Sequence, residues 1–270
     1  INCFLTIPSG LLGQSKKEKL PNIIYILADD LGYGDVSINN PKGKIKTPNI
    51  DQIALQGMRF TDAHSASGVC TPTRYAILTG RYPFRSKLPI GVLRGYSRSL
   101  IDTDQQTVAK LLSQAGYATG VIGKWHLGLD WTLKSGNEAL LNEKELGIKT
   151  ELNPEIIDFT KPATAGPKSA GFDYSYILPA SLDMPPYLYV ENQQVEELPT
   201  AYTAGNKMEK GYSGPFWREG KMSPSFDFHQ VLPRFIDKAN QFIENQKGEK
   251  PFFLYLPLAA PHTPWMPNPE

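Results

Sequence analysis

Three mainly apolar runs along the chain predict the strands of a sheet. They cover residues 22–27, 117–122 and 252–256 and are rich in branched and aromatic side chains, which favour extended backbone. The run at 22–27 does not alternate with polar residues, a pattern typical of strands that are covered on both sides. We therefore expect this strand to be buried on both faces.

Segments with apolar residues at helical spacing lie between and after these runs. Residues 47–57 begin with Thr-Pro, a common helix start, and end at a glycine. Residues 233–246 carry a helical apolar stripe, as do residues 104–116, whose apolar positions are 108, 111, 112 and 115. The alternation of helices with apolar strands predicts an α/β layered architecture.

Functional residues of layered α/β proteins gather at the carboxyl ends of strands. Three groups of polar side chains follow the predicted strands: Asp29 with Asp30, Lys124 with His126, and His262. Lys124 and His126 would project to the same side if the strand continued through them.

The chain loses its apolar periodicity over a long central stretch. Between about residues 129 and 224, Pro, Gly, Tyr and polar residues dominate. This composition predicts a long loop region, which in a compact domain is usually functional or an insertion.

The composition argues against several classes of partner. The 28 basic and 27 acidic side chains leave a net charge of +1, unlike the broad basic surface that nucleic acid or an anionic membrane requires. No run approaches the roughly 20 apolar residues of a transmembrane helix, so we expect no integral membrane segment. Cys3 and Cys70 are the only cysteines in the sequence, too few for a disulfide framework.

Residues 1–20 have the character of a leader. A mainly apolar opening precedes three lysines and a glutamate, as in the remnant of a secretory signal peptide, although a short disordered leader explains the pattern nearly as well. The sequence contains no Asn-x-Ser/Thr glycosylation site. Together these features predict an exported protein of the bacterial periplasm or cell surface.

Asp29 and Asp30 form a pair of adjacent carboxylates. Two close carboxylates repel each other, so both can face one pocket only when a positive group neutralises them. Carboxylate oxygens suit a hard dication such as calcium or magnesium better than zinc. The alternative for an isolated Asp-Asp is that one side chain caps a turn while the other is solvated.

Lys124, His126 and His262 supply cationic and proton-transfer chemistry. A lysine can hold an anionic oxygen, and a histidine can exchange a proton near neutral pH. The alternatives are an ordinary Lys-x-His pair on an exposed strand edge and, for His262, a structural histidine. Cys70 on its own is most simply a small buried apolar side chain.

Five motifs that occur together change these interpretations. In chain order they are residues 22–35, Cys-x-Pro-x-Arg at 70–74, Thr-Gly-Arg at 79–81, residues 123–128 and residues 260–264. With these motifs in this order, roughly residues 21–267 resemble the type I, formylglycine-dependent sulfatases, and the resemblance is closest to the arylsulfatase A and N-acetylgalactosamine-sulfatase branch. One such motif can arise by chance, but five in order are very specific. The resemblance implies a sulfuric ester hydrolase of sulfated carbohydrates or aryl esters. It also implies an alkaline-phosphatase-like fold, with a large mixed, mainly parallel sheet between helices.

The resemblance also implies a role for each candidate residue. Cys70 would be oxidised to formylglycine by a sulfatase-maturating enzyme, and Asp29 and Asp30 would bind calcium, or magnesium, together with this modified residue. Arg74 would hold the aldehyde hydrate, and Lys124 would bridge the hydrate and the sulfate.

The remaining roles concern proton transfer and sulfate binding. By the resemblance, His126 would act on the second hydroxyl of the hydrate, and His262 would contact the sulfate and the leaving oxygen. Ser181 falls where the family has a small polar residue near the sulfate, although ordinary loop chemistry explains this serine equally well. The chemistry is coherent, because an anionic ester needs fixed positive charge and the departing alcohol needs a proton.

The chain departs from the family pattern in one respect. The family has another metal-binding pair, Asp followed by Asn or Gln, and a further sulfate-binding Lys downstream of the His262 motif. Since the sequence ends at Glu270, the resemblance implies that residues 21–270 are the N-terminal portion of a catalytic domain, truncated before its C-terminal subdomain.

Two other functions stay open at this point. A phosphatase or phosphodiesterase of the same superfamily usually presents Ser or Thr as nucleophile, which the Cys-x-Pro-x-Arg motif opposes. A catalytically silent homologue would bind sulfated glycans, although the retained site residues argue against it. Aromatic side chains in 171–174, 185–189 and 216–217 could stack on sugar rings or simply pack the loops.

Overall fold

The computed structural model describes residues 19–142, 151–206, 216–248 and 250–267. The leader predicted for residues 1–20 lies almost entirely outside the described residues. In the described parts of the chain, six strands form one sheet in the order β1-β8-β2-β3-β4-β5, and β6 and β7 pair separately. The strands are β1 (Ile23–Asp29), β2 (Ala118–Lys124), β3 (Tyr174–Leu178), β4 (Val190–Glu191), β5 (Gln194–Val195), β6 (Ala201–Thr203), β7 (Gly220–Met222) and β8 (Phe252–Pro261).

The direction of the strands confirms the predicted mixed, mainly parallel sheet. Strands β1, β8, β2 and β3 are parallel to one another, whereas β4 is antiparallel to β3 and to β5. Parallel strands end at the same edge of a sheet. The residues that follow β1, β8, β2 and β3 therefore meet at one edge.

The α-helices of the described residues are α1 (Pro48–Gln56), α2 (Cys70–Thr79), α3 (Val108–Gln114) and α4 (Val231–Asn245). Helices α2 and α3 pack on one face of the sheet and α4 on the other, whereas α1 buries none of its residues. Alternate residues of β2 enter different cores: Val121 packs in a cluster with residues of α2 and α3, and Ile122 in a cluster with residues of α4. The layered α/β architecture expected from the sequence is confirmed.

Three of the helices were predicted, but α3 begins at Val108 rather than at residue 104. The Thr107 side chain accepts a hydrogen bond from the Lys110 N–H at 3.1 Å and so caps the helix there. Leu111, which belongs to the predicted apolar face, is exposed, and Ala109 is buried instead. None of the helices in the described residues combines the length and the apolar character that a membrane span requires.

The prediction that the first strand is buried on both faces is wrong. Ile24, Tyr25 and Ile26 of β1 are exposed in the structure, Ile26 by 55%. The reason is the position of β1, which among the described residues pairs with β8 alone and forms one edge of the six-stranded sheet. An uninterrupted apolar run indicates a strand but does not show which neighbours cover it.

The long region from 129 to 224 contains more regular structure than the sequence indicated. Strand β3, which starts at Tyr174, belongs to the main sheet. The aromatic residues Phe172, Tyr187 and Tyr189 are buried in the two cores, which favours the packing interpretation over sugar stacking for these three. Phe216 and Trp217 line a cavity, and Trp217 also packs against the second core, where its ring stacks on Phe228.

Gly123 is required by the close approach of β2 to β8. Its φ is +135°, and a Cβ atom there would lie 2.1 Å from the carbonyl oxygen of Pro257. We expect Gly123→Ala to lower the free energy of unfolding by at least about 2 kcal/mol in urea titrations, because a rigid backbone atom must move. The control is Gly248→Ala, where an added Cβ meets no atom within 4 Å. Equal unfolding midpoints for the two variants would contradict this expectation.

Candidate active site

The predicted site residues meet at the carboxyl edge of the sheet. Asp29 and Lys124 are the last residues of β1 and β2, His262 directly follows β8, and Ser181 comes shortly after β3. His126 lies beyond the end of β2 with a φ of +54°, so the strand does not continue through it. Backbone hydrogen bonds, rather than strand alternation, fix its position.

Lys124 is the centre of the cluster. Its side chain is 0% exposed, and its Nζ atom lies 3.2 Å from the Cys70 Sγ atom and 3.0 Å from the Ser181 hydroxyl. The same ammonium donates to the Asp29 carboxylate. A buried ammonium with three polar partners is held in one orientation, so its charge is directed at position 70.

Arg74 lies one turn after Cys70 on α2 and reaches the same cluster. Its Nη1 atom donates to the carbonyl oxygen of Lys124 at 2.5 Å, and its Nη2 atom lies 3.4 Å from the Asp29 carboxylate. The Nε and Nη2 atoms are buried and make no hydrogen bond among the described residues. This guanidinium therefore has donor capacity left for an anion.

Asp29 stays ionised despite its burial. Desolvation by itself raises the pKa of this carboxyl group, but the charges of Lys124 and Arg74 and the hydrogen bond from Lys124 outweigh burial and lower it. The cluster thus contains one buried carboxylate between two buried cations.

His126 is held as a neutral proton acceptor. Its Nε2 atom lies 2.7 Å from the carbonyl oxygen of Leu93, which can only accept, so Nε2 carries the hydrogen and donates. Its Nδ1 atom is buried and has no partner among the described residues. Burial, followed by the charges of Lys124 and Arg74, lowers the pKa of His126 well below 6.5.

Thr71 braces this histidine from α2. Its hydroxyl donates to the carbonyl oxygen of His126 at 2.8 Å and accepts from the Leu93 N–H at 3.2 Å. Sequence reasoning missed both residues. The role of Thr71 could have been predicted, because this residue lies inside the Cys-x-Pro-x-Arg motif. The role of Leu93 could not, because it acts through its backbone N–H and carbonyl groups, which every residue except proline has.

His126 makes the free energy of unfolding depend on pH, and the direction of its pKa shift gives the sign of that dependence. An unfolded chain protonates histidine near pH 6.5, while folded His126 stays neutral until well below that pH. Between these values the unfolded state binds more protons, so stability falls as the pH drops below about 6.5. We expect His126→Gln, which keeps an N–H donor for Leu93, to lose part of this acid destabilisation in urea titrations at about pH 5 and about pH 7.5.

The control for this pH experiment is His64→Gln. His64 forms an ion pair with Asp62 at the surface, where the two side chains are 82% and 89% exposed. Because exposed ion pairs contribute little to stability, its replacement should change unfolding little at either pH. If His126→Gln and the unmodified protein lose stability equally on acidification, the assignment of a neutral buried His126 is wrong.

His262 is arranged to carry a proton. Its Nδ1 atom donates to the carbonyl oxygen of Thr263 at 2.6 Å, and its Nε2 atom lies 3.7 Å from the Asp30 carboxylate. Burial lowers the pKa of His262, but the hydrogen bond with Cys70 and the nearby Asp29 charge contribute to a net rise. The imidazolium form, with a hydrogen on Nε2, is therefore accessible near neutral pH.

Asp29, Asp30 and Cys70 line one cavity of about 280 Å³. The Cys70 Sγ atom lies 3.6 Å from the Asp29 Oδ1 atom, close enough for an oxygen at position 70 and this carboxylate to share one ion. The chemistry of the two carboxylates fits a hard dication. Among the described residues no three His, Cys, Asp or Glu side chains converge as a complete metal centre, so these groups supply only part of a coordination shell.

The family model that matches this chain and two of its curated relatives are sulfatases. The family model described as Sulfatase matches residues 21–269. The N-acetylgalactosamine-6-O-sulfatase of Bacteroides thetaiotaomicron is 35% identical over 96% of this chain and 51% of its own length. Human arylsulfatase G is 30% identical over 93% of this chain and 43% of its own length.

A solved structure from work on glycosaminoglycan metabolism by Bacteroides thetaiotaomicron has the same fold. It superposes with a TM-score of 0.73 at 34% identity, covering 93% of this chain and 53% of the solved one. The chain thus spans about half the length of the relatives that it matches. A family match over nearly all of the sequence, together with the shared fold, leads to one conclusion: the chain belongs to the sulfatase family.

Proposed function

We propose that the protein hydrolyses sulfate esters of carbohydrates, with formylglycine at position 70 and a bound calcium or magnesium ion. The observation that supports this most directly is the position of Lys124, whose buried Nζ atom lies 3.2 Å from the Cys70 Sγ atom and 3.0 Å from the Ser181 hydroxyl. The Cys70 Sγ atom stands in for the oxygen of the modified residue. A fixed cation at that point suits an anionic ester bound to a nucleophile at position 70.

Two groups complete the proposed site. Formylglycine, made from Cys70 by a sulfatase-maturating enzyme, would supply a hydrated aldehyde as the nucleophile towards sulfur. Asp29 and Asp30, together with the oxygen at position 70, would hold a calcium or magnesium ion, and that ion would supply positive charge next to the sulfate. Calcium takes about six to eight oxygen ligands, so water and further donors would complete its shell.

The cationic side chains of the cluster bind and orient the sulfate group. Lys124 donates to one anionic oxygen, and the Ser181 hydroxyl beside it offers a second hydrogen bond. Arg74 has unpaired N–H groups in the described structure and holds the oxygen of the residue at position 70. Because these groups are fixed before the substrate arrives, little reorganisation is needed when negative charge builds up.

The two histidines divide the proton transfers. Neutral His126, whose Nδ1 atom has no partner among the described residues, would accept the proton of the second, non-attacking hydroxyl of the hydrate at position 70. His262, whose pKa is raised, donates a proton from Nε2 to the leaving oxygen of the sugar. Opposite pKa shifts on two histidines give one base and one acid at the same pH.

A sulfated hexosamine is the substrate class that we favour. The relative from Bacteroides thetaiotaomicron bears the name N-acetylgalactosamine-6-O-sulfatase and is 35% identical to this chain. Residues 1–20, with their leader-like composition, support export to the periplasm or the cell surface, where sulfated glycans are met.

The proposed function is tested with a panel of esters on protein produced beside a maturating enzyme. The panel contains a 6-sulfated N-acetylgalactosamine, an aryl sulfate and the matching phosphate esters. We expect sulfate release from the sulfate esters. Release of phosphate alone would replace the proposal with the phosphatase alternative, and binding of sulfated sugar without turnover would favour the silent glycan-binding homologue.

A further inference from the structure

Ser181 reaches the catalytic cluster on a segment that has no partner in the main sheet. Residues 179–189 connect β3 to β4 and lie outside the six-stranded sheet. The start of this segment is fixed by the residues after β2, because the His126 N–H donates to the Pro179 carbonyl oxygen at 3.1 Å. The position of the Ser181 hydroxyl therefore depends on what holds the segment beyond that point.

Arg218 holds the segment two residues after Ser181. Its backbone N–H donates to the Asp183 carbonyl oxygen at 3.1 Å. Its Nη1 atom donates to the same oxygen at 3.1 Å and also to the Asp183 carboxylate. The Met184 N–H donates to the Ser181 carbonyl oxygen at 3.0 Å, which makes residues 181–184 a single turn. A residue that fixes Asp183 therefore also fixes Ser181.

The Asp183 carboxylate relies on Arg218 for charge compensation. The aspartate side chain is only 7% exposed, and Arg218 is its ion-pair partner in the described structure. The Asp183 Oδ1 atom is buried and makes no hydrogen bond among the described residues. A buried carboxylate that loses its cation must move towards water or take up a proton. Removal of the Arg218 charge should therefore displace the turn rather than leave it in place.

Arg218 is itself well fixed. It lies two residues before β7, which pairs with β6. Its carbonyl oxygen accepts from the Tyr187 hydroxyl at 2.7 Å, and its guanidinium lies 5.0 Å from the centre of the Phe216 ring. The Tyr187 N–H in turn donates to the carbonyl oxygen of Lys221 in β7 at 3.0 Å. The β6–β7 pair thus supports the turn from outside the main sheet.

We propose that Arg218, acting through Asp183, is a positioning residue for the sulfate site: it holds the turn of residues 181–184 so that the Ser181 hydroxyl stays beside Lys124. This inference rests on the proposed function, because Ser181 matters to the reaction only if it and Lys124 bind the sulfate group. It goes beyond that function by giving a role to an ion pair that belongs to none of the five sequence motifs.

The first measurement follows the turn itself, by hydrogen exchange of backbone amides in the whole matured protein. We expect Arg218→Gln, which removes the charge but keeps an N–H donor, to speed exchange at residues 181–184 at least about threefold and to leave β2 and β8 unchanged. Arg98→Gln is the matched control, because Arg98 pairs with Asp130 and its side chain is 30% exposed, close to the 38% of Arg218. The control should leave exchange at residues 181–184 unchanged.

The second measurement is the affinity of the same proteins for inorganic sulfate, by calorimetry. We expect Arg218→Gln to weaken sulfate binding about threefold to tenfold, as the loss of one hydrogen bond to the anion predicts. Arg218→Lys, which keeps the charge, should recover part of this loss. In a Ser181→Ala background, Arg218→Gln should have no further effect, because its influence passes through that serine. A merely structural role would weaken binding equally in both backgrounds.

Three results would overturn the inference: unchanged exchange at residues 181–184 in Arg218→Gln, equal sulfate affinity of this variant and the unmodified protein, or equal weakening in the two backgrounds. Asp183→Asn removes the other charge of the pair, should have the same effects, and serves if Arg218→Gln folds poorly. Failure of the proposed function is a different result, the absence of sulfate release from the ester panel by the unmodified protein. In that case the exchange measurement still decides whether Arg218 holds the turn.

Discussion

Replacement of Cys70 by alanine is expected to lower sulfate release at least about ten thousandfold, because it removes the precursor of the proposed nucleophile and nothing else in the cluster offers the same chemistry. Lys124, Arg74 and His126 would remain in place and still bind the sulfate group. The loss should therefore appear mainly in kcat, with a smaller change in KM. The measurement is sulfate release from an aryl sulfate under saturating and subsaturating conditions.

A stability measurement makes this result interpretable. Cys70 is only partly buried at the start of α2, so Cys70→Ala should change the free energy of unfolding by less than about 1 kcal/mol. A folded and inactive variant supports the assigned nucleophile. Sulfate release at a rate close to that of the unmodified protein would mean that position 70 is not the reacting residue.

Replacement of Lys124 by alanine is expected to damage both activity and stability. The side chain is fully buried and donates to Asp29. Its removal leaves the buried Asp29 carboxylate with Arg74 as its remaining ion-pair partner among the described residues, which costs about 3 kcal/mol. It also removes the cation directed at the sulfate, which should lower kcat/KM at least about a thousandfold. Urea titration and ester hydrolysis measure the two effects separately.

The chain offers a matched control for this prediction. Lys87 also pairs with an aspartate, Asp102, but the lysine is 59% exposed. Lys87→Ala should change stability by less than about 1 kcal/mol and leave hydrolysis unaffected, since exposed ion pairs contribute little. If Lys124→Ala proves as stable and as active as Lys87→Ala, the buried cluster does not have the electrostatic role assigned to it.

The position of the candidate site could be predicted because its residues lie at the carboxyl ends of strands. Asp29, Lys124 and His262 each follow an apolar run in the sequence, and the parallel pairing of β1, β8 and β2 brings the ends of those runs together. The side-chain chemistry and the order of the motifs were also readable, since both depend on residue type and spacing alone.

Other features depend on neighbours that are distant in sequence and could not be predicted. The exposure of Ile26 follows from the edge position of β1, which only the strand order reveals. Strand β3 has just five residues inside a polar, proline-rich stretch, too few for a clear periodic signal. The free Nδ1 atom of His126 depends on the carbonyl oxygen of Leu93, a backbone group that any residue could supply.

The aromatic residues of the central stretch show the same limit. Those at 172, 187, 189 and 216–217 stood out equally in the sequence, but only the structure shows that the first three are core residues and that the last two line a cavity.

The mass of the peptide that carries Cys70 shows whether the proposed nucleophile is formed. Protein is produced beside a sulfatase-maturating enzyme, digested, and analysed with an aldehyde-reactive reagent. We expect a loss of about 18 Da relative to cysteine and capture of the peptide by the reagent, as conversion to formylglycine requires. An unmodified thiol at position 70, in a host that converts a control sulfatase, would mean that the site lacks its nucleophile and that the proposed hydrolysis is wrong.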